Sequence, residues 1–154
     1  MTCCFTGHRE LPAADTEAYR ALLASLEAAV NDALREGCTR FVTGGACGFD
    51  LLAGEWILAC KKVDPSLTLS VYVPYRGQAN AYCAADAKRY RALLAAADET
   101  LVLSETYHRG CMHARNARMV ADADLCIAYV RRRPSGSAET MRMAETQGIP
   151  VFRL

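Results

Sequence analysis

The chain has 154 residues, of which 52% are hydrophobic and 23% charged, and its formal net charge is +1. This length and composition predict one globular domain over residues 1–154 and exclude a disordered chain. The near-zero net charge gives no general attraction to nucleic acid or to membranes, so recognition of any anion must be local. No apolar run approaches the ~20 residues that span a bilayer, and no membrane partner is expected.

Eight cysteines are many for this length, but they follow no metal-ligand or disulfide pattern. No CxxC pair occurs, and Cys111 with His113 is too small a set to hold zinc. The N-terminus leads into an apolar strand with no signal-peptide pattern before it. We therefore predict a cytoplasmic protein with reduced, mostly packed thiols and with neither a metal site nor a cofactor. The sequence leaves open whether Cys47 or Cys111 is reactive.

Short apolar segments alternate with longer amphipathic ones along the chain. In chain order they predict a strand at 2–6, a helix at 15–36, a strand at 40–43, a helix at 49–62, a strand at 67–73, a helix at 80–97, a strand at 99–103, a helix at 111–121, a strand at 124–130, a helix at 137–147 and a strand at 150–153. Six strands alternating with five helices form βαβ units. The predicted fold is therefore a Rossmann-like three-layer α/β/α structure with a mostly parallel sheet.

The loops that follow the strands differ from those that follow the helices. Glycine, histidine, arginine and hydroxyl residues collect after the strands, whereas the loops after the helices are plain turns. Ligands of open parallel sheets bind at the carboxyl ends of the strands. This asymmetry predicts an anion site at that edge, formed by loops 6–9 (TGHR), 43–48 (TGGACG), 74–78 (PYRGQ), 104–110 (SETYHRG) and 131–137 (RRRPSGS).

The glycine loop 43–50 (TGGACGFD) is the strongest of these features. Its glycines allow the backbone to approach a phosphate, and the unpaired N–H groups that open the next helix point at it. The loop is neither a Walker A motif nor the GxGxxG fingerprint. Asp50 either caps its own helix or accepts ribose hydroxyls, Arg9 can pair with phosphate, and Ser137 is either an N-cap or a second phosphate donor.

Four segments in order resemble the YpsA-like proteins of the SLOG superfamily: 4–9 (CFTGHR), 43–50 (TGGACGFD), 115–120 (RNARMV) and 136–151 (GSAETMRMAETQGIPV). The resemblance implies a Rossmann-like fold that binds nucleotides or nucleotide-derived ligands. Relatives of this family include the LOG-type phosphoribohydrolases, the so-called lysine decarboxylase family and the DNA-processing protein DprA.

The LOG-type enzymes release a free base from a nucleoside monophosphate, and they carry an R-K-x-x-M helix and a P-G-G-x-G-T loop followed by acids. Here Arg115 and Met119 keep the first pattern, but Asn116 replaces the lysine, and 134–139 (PSGSAE) is a shortened form of the second. The resemblance implies that Arg115 holds the phosphosugar and that Glu139 stabilises the oxocarbenium-like charge as the N-glycosidic bond breaks.

Three functions are therefore considered. The first is a nucleotide-binding sensor or regulator, the second a nucleoside 5′-monophosphate phosphoribohydrolase, and the third DprA-like binding of single-stranded DNA. Near-neutral charge and the lack of an aromatic and basic face make nucleic acid the least favoured partner. The Ala- and Leu-rich helix 15–36 could supply a homodimer surface. The candidate catalytic residues are Arg115 and Glu139, and the candidate ligand-binding residues are Gly7, His8, Arg9, Thr43, Gly44, Gly45, Ala46, Gly48, Asp50, Asn116, Met119, Gly136 and Ser137.

Overall fold

The computed structural model describes residues 1–154 as six strands and five α-helices. Most element boundaries lie within one or two residues of those predicted from the sequence. In chain order the elements are β1 (Thr2–Gly7), α1 (Glu17–Arg35), β2 (Arg40–Thr43), α2 (Phe49–Lys61), β3 (Thr68–Val73), a 3-10 turn (Gln78–Ala81), α3 (Ala84–Ala96), β4 (Glu99–Val102), α4 (Cys111–Ala121), β5 (Leu125–Tyr129), α5 (Gly136–Thr146) and β6 (Val151–Arg153).

All six strands are parallel and lie in the order β4-β3-β2-β1-β5-β6. This arrangement confirms the predicted Rossmann-like class. The chain moves outward from β1 to β4 and then returns to the other side of β1 with β5, so the direction of winding reverses between these two strands. At their carboxyl ends Gly7 is in register with Tyr129. A crevice at such a switch point is where open α/β sheets bind their ligands.

The helices cover the two faces of the sheet unequally. The face under α1, α2 and α3 holds a core of 23 buried residues, in which the rings of Phe5 and Phe41 stack at 5.9 Å between centroids. The face under α4 and α5 holds nine, including Met119 and Met141. Side chains alternate along β1, so Phe5 enters the larger core and Cys4 the smaller one.

Helix α1 uses its apolar side within the domain. Leu22, Leu26 and Val30 recur at helical spacing and are buried in the larger core. These side chains are therefore not free to contact a second copy, and the homodimer stays a prediction. No helix combines the length and the apolar character that crossing a membrane requires.

The helix predicted over residues 80–97 is wrong at its start. A 3-10 turn occupies Gln78–Ala81, Tyr82 is extended, and α3 begins at Ala84. The reason is tertiary, because two side chains of this segment hold the glycine loop. The Gln78 amide donates to the carbonyl of Gly44 at 3.0 Å, and the Tyr82 hydroxyl donates to the carbonyl of Gly45 at 3.1 Å.

Candidate functional site

A cleft of about 340 Å³ opens at the carboxyl ends of β1 and β5. The β1 end forms its floor, α4 one wall, the glycine loop a second, and the N-terminus of α5 a third. Nine of the fifteen residues predicted from sequence line it. The complete lining is Thr6, Gly7, His8, Arg9, Glu10, Ala46, Asp50, Met112, Arg115, Asn116, Arg132, Ser135, Gly136 and Ser137.

Two glycines allow the backbone segments at the base of the cleft to approach one another. A Cβ on Gly7 would lie 2.4 Å from the ring of Phe49, the first residue of α2. Gly48 has a φ of +80°, and a Cβ there would lie 2.2 Å from the carbonyl oxygen of Arg9. The Phe49 N–H also donates to the carbonyl of His8 at 3.0 Å. The loop after β1 and the start of α2 therefore form one unit, in which only glycine fits at these two positions.

The His8 imidazole organises the loop between β5 and α5. Its Nε2 accepts the backbone N–H groups of Arg131 at 2.7 Å and Arg132 at 3.1 Å, so this nitrogen carries no proton. The pattern assigns the ring proton to Nδ1, which donates to the Ser137 hydroxyl at 3.1 Å. Burial, followed by the charge of Arg132, lowers the pKa of His8, in keeping with a neutral ring. His8 therefore positions Ser137 and is not placed to take a proton from it.

The first turn of α5 presents free donors to the cleft. The Ser135 hydroxyl accepts the N–H of Ala138 at 3.1 Å, and the Ser135 carbonyl accepts that of Glu139, so Ser135 is the N-cap. The N–H groups of Gly136 and Ser137 make no hydrogen bond within the protein. A Cβ on Gly136 would meet nothing within 4 Å. An anion could therefore approach these amides closely, with the helix dipole in its favour.

Arg115 crosses beneath the cleft as a buried cation. Its side chain is 4% exposed, and Nη1 donates to the carbonyls of Gly44 and, at 3.2 Å, of Tyr72. Nε donates to the Asn116 amide oxygen at 2.7 Å. The third nitrogen, Nη2, has no partner within the protein. Burial lowers the pKa of Arg115, and the nearby Asp50 carboxylate opposes that shift. A buried guanidinium with one free nitrogen is suited to a hydrogen-bond acceptor in the cleft.

Asp50 places a carboxyl group inside the glycine loop. The side chain is 6% exposed, and the N–H groups of Gly44 and Ala46 face it. Burial raises the pKa of Asp50 to about 6, against the opposing charge of Arg115 and those N–H groups. A Cβ on Gly44 would lie 2.3 Å from Arg115 Nη1 and 2.6 Å from Asp50 Oδ2. The N–H groups of Gly44 and Ala46 thus face the Asp50 carboxylate, a group of the protein itself.

Six of the predicted site residues lie outside the cleft. Thr43 donates from its hydroxyl to the carbonyl of Asp50 at 2.8 Å and holds the loop in place. Met119 is in the smaller core. Glu139 is exposed on the far side of α5, with its Oε1 3.4 Å from His113 Nδ1. The remaining three are loop residues that pack beneath or beside the cleft: Gly44, Gly45 and Gly48.

Five of the lining residues were not among the candidate residues, although three of them lie in loops that the sequence predicted to form the site. Arg132 lies in loop 131–137, which the sequence assigned to this edge, but it was not singled out; it lines the cleft and its guanidinium lies 3.1 Å from the Glu10 carboxylate. Ser135 was indicated by its position ahead of Ser137. Position in the sequence could have indicated the other three. Thr6 and Glu10 flank the predicted site residues Gly7, His8 and Arg9, and Met112 follows the predicted start of a helix at 111.

Cys47 and Cys111, the two cysteines whose reactivity the sequence leaves open, have different surroundings. Burial, together with the charge of Asp86, raises the pKa of Cys47 to about 11. Cys111 is 2% exposed at the start of α4. Because the thiolate is the reactive form of cysteine, the raised pKa makes Cys47 a poor nucleophile.

A second group of side chains lies at the same sheet edge, after β3 and β4. Tyr75 and Tyr107 pack edge to face with ring centroids 5.5 Å apart, and Tyr107 is 65% exposed. Arg76 pairs with Glu105 beside them. An exposed aromatic ring therefore lies beside an ion-paired arginine at this edge, and nucleic acid stays a candidate partner.

The all-parallel sheet, with its reversal of winding between β1 and β5, defines a Rossmann-like class of protein. Within that class, the family model described as the YspA SLOG family matches residues 3–148. The chain belongs to this family, as the resemblance of its motifs predicted.

The individual proteins that this chain is similar to share only low sequence identity with it. The chain is 26% identical to the UPF0398 protein BH1768 of Halalkalibacterium halodurans over 115 residues, which cover 73% of this chain and 61% of that protein. Two solved structures share the fold over 99% of this chain. One is DNA processing protein A from Helicobacter pylori, with a TM-score of 0.68, 20% identity and 64% of that chain covered. That structure was reported for the single-stranded DNA binding mode of the Helicobacter pylori protein. The other is DprA from Streptococcus pneumoniae, with a TM-score of 0.66, 18% identity and 49% covered. The chain thus spans about half to two thirds of these proteins.

Proposed function

We propose that this protein binds a nucleotide, or a nucleotide-derived phosphate ligand, in the cleft and acts as a sensor or regulatory protein of the cytoplasm. One observation carries the proposal: the N–H groups of Gly136 and Ser137 open α5, belong to residues that line the cleft and have no partner in the protein. Helix N-terminal amides bind phosphate by direct hydrogen bonds and through the helix dipole.

The surroundings of these amides support the same proposal. Arg9, Arg132 and the free Nη2 of Arg115 bring positive charge to the cleft, and arginine pairs readily with phosphate. The volume of about 340 Å³ falls within the range of small-ligand sites. Membership of a SLOG family agrees with a nucleotide-like ligand. All eight cysteines are unpaired, which suits a reducing compartment.

The sharpest test removes one N–H group without removing a hydrogen bond of the protein. Gly136 is the first residue of α5, a position where proline is favoured, and Ser135 before it has a ψ of 158°, as the residue before proline requires. Gly136→Pro should therefore fold. Glu17→Pro is the matched control, because Glu17 is the first residue of α1, follows Thr16 with a ψ of 156° and lies outside the cleft.

Isothermal titration calorimetry with AMP, GMP, CMP and UMP reports the outcome. We expect the unaltered protein and Glu17→Pro to bind with the same Kd, and Gly136→Pro to bind about tenfold more weakly, the value of one charge-assisted hydrogen bond. A folded Gly136→Pro protein that binds with unchanged affinity would contradict the proposal. So would unaltered protein that binds none of the four nucleotides.

The phosphoribohydrolase alternative has less support from the site. Glu139, the acid implied by the resemblance, is exposed and faces His113 rather than the cleft. Chromatography of the same nucleotides tests the alternative directly. Base release by the unaltered protein that disappears in Glu139→Ala, while nucleotide binding persists, would establish the enzyme. Binding without base release would favour the sensor.

Single-stranded DNA binding is a second candidate, favoured by the exposed ring of Tyr107, which packs on the half-buried Tyr75 beside Arg76. Aromatic rings next to arginine form stacking platforms for unpaired bases. Fluorescence anisotropy of a labelled oligothymidine should then show binding that weakens with salt and is lost in Tyr107→Ala. Equal affinity of the Tyr107→Ala and unaltered proteins would remove this candidate.

A further inference from the structure

We infer that His8 is a pH-sensitive switch for the loop between β5 and α5: the neutral imidazole keeps residues 131–134 against the cleft, and protonation of the ring releases them. Arg132 belongs to this loop and lines the cleft, so release of the loop changes one wall of the site. The switch operates in the free protein. It therefore goes beyond the proposed function and can be tested without a ligand.

The His8 imidazole is the main attachment point of this loop. Its Nε2 accepts the backbone N–H groups of Arg131 at 2.7 Å and of Arg132 at 3.1 Å, and neither N–H group has another partner in the protein. His8 directly follows β1 and is 7% exposed, so the position of the acceptor is fixed by the fold. One side-chain nitrogen therefore orders two consecutive residues of the loop.

The other attachments of the loop are weak. No backbone–backbone hydrogen bond joins it to the rest of the protein. The Arg132 guanidinium lies 3.1 Å from the Glu10 carboxylate, but these side chains are 62% and 79% exposed, and exposed ion pairs contribute little. The exposed Arg131 guanidinium lies 5.2 Å from the centroid of the Tyr129 ring, and the Arg132 carbonyl accepts the Ser135 hydroxyl at 3.2 Å. Loss of the two bonds to His8 would therefore leave the loop free to move.

Protonation of the ring removes the acceptor on which the loop depends. Nδ1 already carries the proton of the neutral ring and donates to the Ser137 hydroxyl at 3.1 Å, so a second proton goes to Nε2. A protonated Nε2 is a donor that faces two backbone donors, and both bonds to the loop must break. The bond from Nδ1 to Ser137 survives. Release is therefore confined to the loop that precedes α5.

The surroundings of His8 set the direction of the titration. Burial lowers the pKa of His8 from its ordinary value of 6.5, the charge of Arg132 lowers it further, and Glu10 opposes the shift. Because the folded protein prefers the neutral ring, the stabilisation is complete above pH 6.5 and is lost as the pH falls below it. The other titratable or charged groups around the ring and the cleft are Arg9, Asp50, Arg115, Tyr129 and Arg131. Asp50 has a pKa of about 6, so the test needs a control that lacks only the imidazole.

His8→Gln is the matched control, because the glutamine side-chain oxygen can accept the same two N–H groups and does not titrate. Amide hydrogen exchange of both free proteins, followed by NMR between pH 8 and pH 4.5, reports the loop directly. The protection of the Arg131 and Arg132 amides is divided by that in His8→Gln at each pH, which cancels the intrinsic pH dependence of exchange and the titration of Asp50. We expect this ratio to fall by about tenfold, with a midpoint below pH 6.5 that coincides with the titration of the His8 ring signals. The Glu139 amide, which is bonded to the Ser135 carbonyl, should keep a constant ratio.

Three results would overturn the switch. A constant protection ratio while the ring titrates would mean that protonation does not release the loop. A ring that stays neutral down to pH 4.5 would mean that nothing operates the switch, and nitrogen signals that place the proton on Nε2 at pH 8 would contradict the hydrogen bonds to the loop. If His8→Gln does not fold, the Glu139 amide of the unaltered protein serves as the reference instead. None of these results depends on nucleotide binding, so the proposed function is judged separately.

Discussion

Gly44 is the position where a single methyl group should disturb the buried centre of the site most directly. In Gly44→Ala the new Cβ would lie 2.3 Å from Arg115 Nη1 and 2.6 Å from Asp50 Oδ2. The backbone at Gly44 has no positive φ, so the substitution introduces no strain from the conformation itself. Any loss of stability must therefore come from displacement of the guanidinium and the carboxyl group.

The expected magnitude follows from the contacts at stake. Overpacking of this kind costs about 1–3 kcal/mol, and hydrogen bonds to a charged group contribute about 1.5–3 kcal/mol each. Arg115 donates to the carbonyls of Gly44 and Tyr72, and partial relaxation will save some of that energy. We expect Gly44→Ala to lower the free energy of unfolding by about 3 kcal/mol, which corresponds to a Tm lower by about 6–12 °C at this chain length.

Urea denaturation followed by far-UV circular dichroism measures the change. Gly136→Ala is the matched control for stability, because Gly136 is a glycine of the same region that likewise lacks a positive φ, and a Cβ there would meet nothing within 4 Å. It should unfold within about 0.5 kcal/mol of the unaltered protein or be slightly more stable, since alanine favours helix. If Gly44→Ala is also within 0.5 kcal/mol, or if both variants lose equal stability, the reasoning from close approach is refuted.

Three further predictions concern other groups of the site. Because burial raises the pKa of Asp50 from 3.8 to about 6, protonation of this carboxyl group favours the folded state at low pH. Relative to Asp50→Asn, the unaltered protein should lose about 2 kcal/mol of unfolding free energy between pH 4 and pH 7, and a constant difference in urea titrations would contradict this. Gly48→Ala should be at least 2 kcal/mol less stable than Gly148→Ala, because both glycines have a positive φ but only at Gly48 would a Cβ lie against the Arg9 carbonyl. Equal decreases of Tm in the two variants would count against that contact. At pH 8 iodoacetamide should modify Cys47 slowly, because a thiol with a pKa of about 11 is only about 0.1% thiolate at that pH. Mass spectrometry should show the rate of modification rising tenfold per pH unit up to pH 10, and a rate independent of pH would refute the raised pKa.

The sequence predicted the fold class because local patterns determine it. Bounded apolar runs predicted β2 and α4 to the residue. The order of the strands was not predictable, because pairing of β1 with β5 joins segments that are more than 100 residues apart and have no shared local pattern. The start of α3 was misjudged for the same kind of reason, since Gln78 and Tyr82 bond to a distant loop.

The candidate site was predicted in its location and less well in its detail. Ser137 and Glu139 are two residues apart on α5, which rotates about 100° per residue, so they lie on nearly opposite sides of the helix. Only Ser137 faces the cleft, and the sequence spacing alone did not say which side would. Likewise, nothing in residues 43–50 indicated that the Asp50 carboxylate would face the amides of its own loop.

The Asp50 carboxylate inside the glycine loop affects how the protein would bind a ligand. Many glycine-rich loops become ordered only when a phosphate arrives, and the lost conformational entropy reduces the affinity. Here the loop amides face Asp50, and the loop carbonyls are held by Gln78, Tyr82 and Arg115 before any ligand is present. The backbone of the loop should therefore keep the same conformation in free and in bound protein. Ligand-dependent protection of amide hydrogens from exchange should instead concentrate at the first turn of α5, where the free N–H groups lie.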